Sequence, residues 1–297
     1  MPELVSTVII THKRHPRILK RAIDSVYAQT YQHFELFVID DAPDYEQHTD
    51  IVTLTQQYDP RLQYIINSEK KGPAGSRNLG ISMAKGSFIA FLDDDDEWLP
   101  NKLTDMLTLF TPEVGLVYSA YNIISPHHLK EKKPIMPYQG DIFPELLLHQ
   151  NFIGGASVPI LRKSSLDVVG GFDESFYSAE DYDLWLRIAK NNKVAYFDKS
   201  TLNYYISDDA ISNDASQTII SRQKLLVKYA ADLEKYPKAK KKIYSIMLYC
   251  YFYQGQLMNA FRFYKQHRQD ISCPMCIFYA LKGCIKRILL LGHVHKR

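Results

Sequence analysis

Phe88-Ile89-Ala90-Phe91-Leu92-Asp93-Asp94-Asp95-Asp96 is an apolar run that ends abruptly on four acids. Five apolar residues without polar alternation predict a strand buried on both faces, the kind found in a parallel sheet covered by helices. Four adjacent carboxylates repel one another, so the sequence must offset them with a cation or a solvated turn. At the end of a strand they can hold a hard divalent ion. Mg²⁺ and Mn²⁺ bind through one or two carboxylates and complete their shells with substrate phosphates and water, which makes a diphosphate the natural partner of such a site. An acidic turn capping a helix that starts near Leu99 is the alternative.

Working outward, the same pattern recurs. Leu4 to Thr11 is a β-branched apolar run, Ile18 to Ala28 repeats apolar residues at helical spacing, and Phe34 to Ile39 is a second run ending on Asp40-Asp41. Leu62 to Ile66, a helix over Ala74 to Ala84, and the opening run complete the series, with Val114 to Tyr121 as a fifth strand. Strands alternating with amphipathic helices predict an α/β fold with a mostly parallel central sheet flanked by helices. Thr11, Asp41 and Asp93 each fall at the carboxyl end of a strand, the edge where open α/β sheets bind ligands. Ser125 to Gly140, with His127-His128 and Lys130 to Lys133 among prolines, reads as a surface loop or an acceptor-binding lid. A helix over Ala179 to Lys190 would set Asp181, Trp185 and Ile188 on one face, and a carboxylate on an apolar face invites a specific role.

A length of 297 residues suits a catalytic domain of about 200 residues with an appendage. The expected division is 1–221 for the α/β domain and 222–297 for a helical region, where Ile243 to Tyr253 and Met258 to Tyr264 flank Gln254-Gly255-Gln256 as a helical hairpin. No run of about 18 apolar residues occurs and the N-terminus runs directly into a strand pattern, so the expectation is a cytoplasmic chain, in solution or at the inner face of the membrane. All four cysteines lie in the last fifty residues, and Cys273-Pro-Met-Cys276 has no second pair to complete a zinc site. The net charge of +3 conceals a division: residues 222–297 hold 16 Lys and Arg against Asp232, Glu234 and Asp270, a net of +13, leaving −10 on the rest. That basic tail suits an anionic membrane surface or the solvated face of a homo-oligomer. Its aromatics keep apolar company instead of alternating with Lys and Arg, which argues against nucleic acid. Gly72-Pro73-Ala74-Gly75-Ser76 is neither a GxxxxGK[ST] loop nor a GxGxxG turn, so phosphate-loop and dinucleotide-binding classes lose support. Arg77, just after it, can pair with phosphate or meet a base edge.

Taken together, Thr7-Val8-Ile9-Ile10-Thr11, Ser25-Val26-Tyr27-Ala28-Gln29-Thr30-Tyr31, Phe34-Glu35-Leu36 to Asp40-Asp41, Gly75-Ser76-Arg77-Asn78-Leu79-Gly80, Phe91 to Trp98, and Gly171-Phe172-Asp173-Glu174 with Glu180-Asp181 resemble the family 2 glycosyltransferases of GT-A fold. The resemblance spans about residues 4 to 206. It implies that Thr11 and Asp41 hold the nucleoside and that Arg77 lies against the base or the diphosphate. It makes Asp93 and Asp95 the acids of a DxD motif, Asp93 near ribose or metal and Asp95 a direct ligand of Mn²⁺ or Mg²⁺. Asp94 takes the variable middle position of this nucleotide-sugar site, and Asp96 supports the turn. Asp181 becomes the general base, with Glu180 the second candidate.

The implied reaction is an inverting transfer from a nucleotide-diphosphate sugar, a UDP-sugar by preference, to a saccharide or lipid-linked saccharide acceptor in cell-surface polysaccharide synthesis. In one respect the chain departs from the family pattern. Members often carry an Arg and a His just past the last strand, where this chain has Tyr204-Tyr205-Ile206-Ser207-Asp208-Asp209, so Asp208 or Asp209 is the substitute metal ligand if there is one. Two rivals remain open: a sugar nucleotidyltransferase, which would release pyrophosphate, and a degenerate member serving as an assembly subunit.

Overall fold

The computed structural model describes residues 2–46, 48–125, 128–133, 137–206 and 214–271. The described residues up to Phe143, together with those from Asn151 to 206, form one compact unit; Pro144–Gln150 and residues 214–271 form a second.

The first unit is a mixed α/β structure. Strands β1 (Val5–Thr11), β2 (Phe34–Asp40), β3 (Leu62–Ile66) and β4 (Phe88–Asp93) pair in parallel in the order β3-β2-β1-β4. Nearly every residue of β1, β2 and β4 is buried, which is why their sequences show no alternation. Helix α1 (Pro16–Tyr27) buries Leu19, Ala22, Ile23 and Val26, and Pro16 occupies its first turn, where the missing N–H costs nothing. Helix α2 is His48–Thr55. Helix α3 (Gly72–Met83) approaches β1 closely at Gly80, where an added Cβ would lie 2.5 Å from Val8 Cγ1.

Beyond β4 come β5 (Glu97–Trp98), α4 (Lys102–Leu107), β6 (Val114–Ser125), β7 (His128–Lys132), α5 (Phe143–His149, which from Pro144 belongs to the second unit), β8 (Ile160–Arg162), α6 (Lys163–Val169), α7 (Glu180–Asn191) and β9 (Lys193–Tyr205). Here the sheet becomes mixed. Strand β8 inserts antiparallel between β4 and β6, whereas β9 runs parallel to β6 and pairs antiparallel with β5. The parallel expectation therefore describes the first four strands, and short β8 carries the change of direction. The segment read as a loop or lid contains β7, which pairs antiparallel with an extension of β6. Its Lys-rich sequence lacks an apolar pattern because its register is set by the partner strand. Tyr27-to-Tyr31 carries Gln29, whose amide donates to the Leu99 carbonyl and accepts from Leu103 N, joining α1 to α4.

In the second unit, α8 (Ala215–Lys228) is capped by Asp214, which accepts from Ser216 N and Gln217 N. Helices α9 (Ala230–Lys235), α10 (Pro237–Tyr253) and α11 (Leu257–His267) follow, and α10 packs on both α8 and α11. The hairpin between α10 and α11 turns at Gly255, whose φ of 71° suits glycine. Tyr244 stacks on His267 with ring centroids 4.4 Å apart, closing the pair. Cys250 is a buried free thiol, and Cys273, Cys276 and Cys284 lie outside the described residues. Among the described residues no helix is long and apolar enough to cross a membrane.

Candidate active site

The order β3-β2-β1-β4 makes β1 the point from which the chain departs in both directions, so its carboxyl end opens a crevice. Sheet register sets the residues there side by side: Thr11 lies opposite Asp40 on β2, and Ile10 opposite Asp93 on β4.

The acidic run resolves into four different environments. Asp94 is buried and has a partner on each oxygen, Arg14 Nε at 2.9 Å and Thr11 Oγ1 at 2.7 Å. Burial pushes its pKa up to about 6 despite Arg14 and Thr11, which act the other way. Asp95 is partly exposed, accepts from Arg14 Nη2 at 3.0 Å, and is raised by burial and then by Asp93. Its backbone carbonyl accepts a short hydrogen bond from Arg21, whose guanidinium lies 3.6 Å over the Tyr205 ring. Asp96 is buried and accepts from Tyr205 N at 3.3 Å, which ties the acidic turn to the end of β9. Burial, then Asp93, holds Asp96 well above the ordinary carboxylate range.

Asp93 accepts from Arg77 Nη2 at 2.7 Å, and the other terminal nitrogen of Arg77 donates to Glu180 at 2.9 Å. Arg77 is buried and its guanidinium lies 5.3 Å from the centre of the Phe172 ring. Both terminal nitrogens are thus committed to carboxylates. Each of those nitrogens carries a second hydrogen, and Nε is buried with no hydrogen-bond partner among the described residues, so the guanidinium keeps donors to spare. Asp41 is similarly engaged: its oxygens accept from Asn67 Nδ2, Lys71 N and Gly72 N at 2.8, 2.7 and 2.8 Å. Lys71, the residue before α3, offers no side-chain cap, so Asp41 satisfies the free N–H groups there from the neighbouring strand. This carboxylate thus anchors the entry to α3.

Asp181 stands in the first turn of α7, beside Glu180, while Trp185 and Ile188 of the same helix are buried. The carboxylate accepts from Tyr182 N at 2.6 Å and from Asn151 Nδ2 at 3.2 Å. Asn151 is fixed in turn by Gly154, accepting from its N–H at 3.1 Å, and Gly154 adopts a φ of 106°. Burial, reinforced by Glu180, pushes Asp181 up to about 7; the Tyr182 N–H and Arg77 oppose the shift. The Gly171-Phe172-Asp173-Glu174 segment ties this helix to α3. Asn78 accepts from Phe172 N at 2.8 Å and donates to the Phe172 carbonyl at 2.9 Å, and the Phe172 ring packs edge-on against Phe91 and Trp185.

With this geometry defined, the sequence profile of glycosyl transferase family 2 matches residues 6–167. The chain belongs to that family. It is 31% identical over 217 residues to the UDP-Glc:alpha-D-GlcNAc-diphosphoundecaprenol beta-1,3-glucosyltransferase WfgD of Escherichia coli, covering 72% of this chain and 82% of WfgD. It is 27% identical over 199 residues to the amylovoran biosynthesis glycosyltransferase AmsB of Erwinia amylovora, with 64% and 65% covered. The fold is similar to that of the mannosyltransferase PcManGT from Pyrobaculum calidifontis in complex with GDP-Man and Mn²⁺ (TM-score 0.61, 16% identity, 95% of this chain and 79% of that one). It is also similar to S. aureus TarS 1-349 in complex with UDP-GlcNAc (TM-score 0.60, 15% identity, 91% and 93% covered). The first unit is a GT-A catalytic fold.

For a family 2 glycosyltransferase, Asp93 and Asp95 are suitable metal donors: both are partly exposed hard-oxygen ligands, and each meets a guanidinium on one oxygen. Among the described residues no group of three His, Cys, Asp or Glu side chains is gathered for a metal ion. Asp208 and Asp209, the substitute ligands weighed from the sequence, lie outside the described residues. Sequence reasoning missed several residues that pack against these candidates. Arg14 and Arg21 sit in a basic loop and on a helix whose distance from the acidic run, about 80 and 74 residues, gives no local signal. Asn151 carries no sequence signal at all. Tyr121 and Tyr204, with rings 6.1 Å apart, line the site near Asp96.

Proposed function

We propose that this glycosyltransferase carries out a metal-assisted, inverting transfer from a nucleotide-diphosphate sugar to a saccharide hydroxyl, with Asp181 as general base. The observation that carries the reading is the Asp93–Arg77–Glu180 bridge, which joins the acidic turn after β4 to the first turn of α7 and so sets the candidate base beside the candidate donor site.

The chemistry divides between the two ends of that bridge. Asp93 and Asp95 would hold a divalent ion, Mn²⁺ or Mg²⁺, which when bound supplies Lewis-acid stabilisation to the departing nucleoside diphosphate. Asp181, oriented by Asn151, accepts the acceptor's hydroxyl proton as the oxygen attacks C1 and the C1–phosphate oxygen bond breaks on the opposite face. One displacement inverts the anomeric centre, so an α-linked donor gives a β-linked product. An elevated pKa suits Asp181 to this task, because a base matched to neutral pH takes up a proton more readily.

A UDP-sugar donor is favoured by the named substrate of WfgD, and the polyprenyl diphosphate in that name favours a lipid-linked acceptor in polysaccharide assembly. A membrane-surface setting gains support from α11, where exposed Leu257, Met258 and Phe261 are followed by Arg262 and Lys265. Nucleotidyl transfer and a non-catalytic assembly role are the rivals. A thermal-shift panel of UDP-, GDP- and dTDP-sugars, with and without Mn²⁺, tests the reading, since bound donor raises the unfolding temperature by mass action. One donor should stabilise the native protein in a Mn²⁺-dependent way and lose that effect in Asp95→Ala. Stabilisation by none of them, or pyrophosphate instead of nucleoside diphosphate as product, would overturn it.

A further inference from the structure

Three neighbouring acids need more positive charge than the peptide provides, and Arg14 supplies it in an unusual way. Its Nε bonds Asp94 at 2.9 Å while Nη2 bonds Asp95 at 3.0 Å. These two contacts are not equivalent. Asp94 is buried and held from its other side by Thr11, whereas Asp95 and the Arg14 side chain are 26% and 31% exposed. The Nε end is therefore anchored and the Nη2 end faces solvent. Asp95 is also the acid that the transferase reading makes a metal ligand.

We infer that Arg14 is the resident counter-ion of Asp95 and trades that role with the divalent ion, turning its outer nitrogen to the diphosphate of the donor. A cation on Asp95 makes the guanidinium redundant there and repels it at short range. The Nε bond to buried Asp94 holds Arg14 at the site when Nη2 lets go. The nearest charge that then rewards a planar guanidinium is phosphate, which it binds through charge-assisted hydrogen bonds. Arg14 thus competes with metal in the absence of donor and cooperates with it once donor is present. This rests on the transferase reading and adds a residue that the reading does not require.

The test measures binding, not turnover. Mn²⁺ affinity of the full chain is followed by electron paramagnetic resonance without nucleotide, and UDP, GDP and dTDP affinities by calorimetry at saturating Mn²⁺. Arg14→Met should bind Mn²⁺ alone about twofold to fivefold more tightly, the scale of a partly exposed ion pair removed. The same variant should bind the nucleoside diphosphate about tenfold to a hundredfold more weakly, as expected for a lost charge-assisted hydrogen bond. Arg14→Gln, which keeps a donor for Asp94 without the charge, should shift both affinities in the same directions and serves if the Met variant does not fold. Unchanged or weaker Mn²⁺ binding would show that Arg14 orders Asp95 instead of competing for it and would overturn the inference. Tighter Mn²⁺ with unchanged nucleotide affinity would overturn its phosphate half. Native protein that binds none of UDP, GDP and dTDP with Mn²⁺ would instead sink the transferase reading itself.

Discussion

Replacing Asp181 by Asn removes a half-buried carboxylate that its surroundings disfavour, so it should weaken catalysis and strengthen the fold at the same time. Burial and Glu180 move this group from an ordinary value of 3.8 to about 7. A native pKa above the unfolded one means the native protein binds the proton more tightly. Stability from this group is complete below about pH 4, declines as pH rises toward 7, and is lost above 7. At about 1.4 kcal/mol per pKa unit, the ionised carboxylate costs the native state roughly 4 kcal/mol at pH 8 as an upper figure. Asn has no charge and can still accept from Asn151 Nδ2 or Tyr182 N. Metal-free Asp181→Asn should therefore unfold at higher temperature than native protein at pH 8, with the gap closing as pH falls toward 4. In transfer assays with Mn²⁺ and the donor identified by the thermal-shift panel, kcat should fall by about 10² to 10⁴-fold. Donor affinity should change little, and the rising limb of the native pH profile should disappear. A variant that is less stable at pH 8, or that loses donor binding along with turnover, would refute the reasoning and give Asp181 a structural role.

Two further substitutions probe the frame around that residue. Arg77→Met removes the buried cation shared by Asp93 and Glu180 and leaves the 12%-exposed Glu180 carboxylate without a counter-ion; it should cost about 3 kcal/mol, read from denaturant midpoints. Gly171→Ala should cost about 1 to 3 kcal/mol by the same measure, because the new Cβ would overlap Asn78 Oδ1, which is pinned by Phe172 and cannot move away without breaking two hydrogen bonds.

Much of the catalytic unit was legible along the chain because its signals are local. The runs at Val8, Phe37 and Phe91 are buried on both faces, so their lack of alternation identified parallel strands, and the helix carrying Asp181 was visible from its apolar spacing. Acids at strand ends also needed no structure to stand out. What adjacent sequence could not encode was the choice of partner. Arg14 meets Asp94 across 80 residues, and Arg77 meets Glu180 across 103. Neither pairing leaves a periodicity or a motif, because charge attraction acts through space once the sheet has set the distances. The same holds for β7, whose polar sequence becomes a strand only beside β6, and for Asp41, whose carboxylate is drawn to unpaired N–H groups at the start of α3. Sequence alone determined which residues could do the chemistry. Tertiary structure decided which charges each of them faces, since only packing fixes how far a carboxylate lies from a guanidinium and from water.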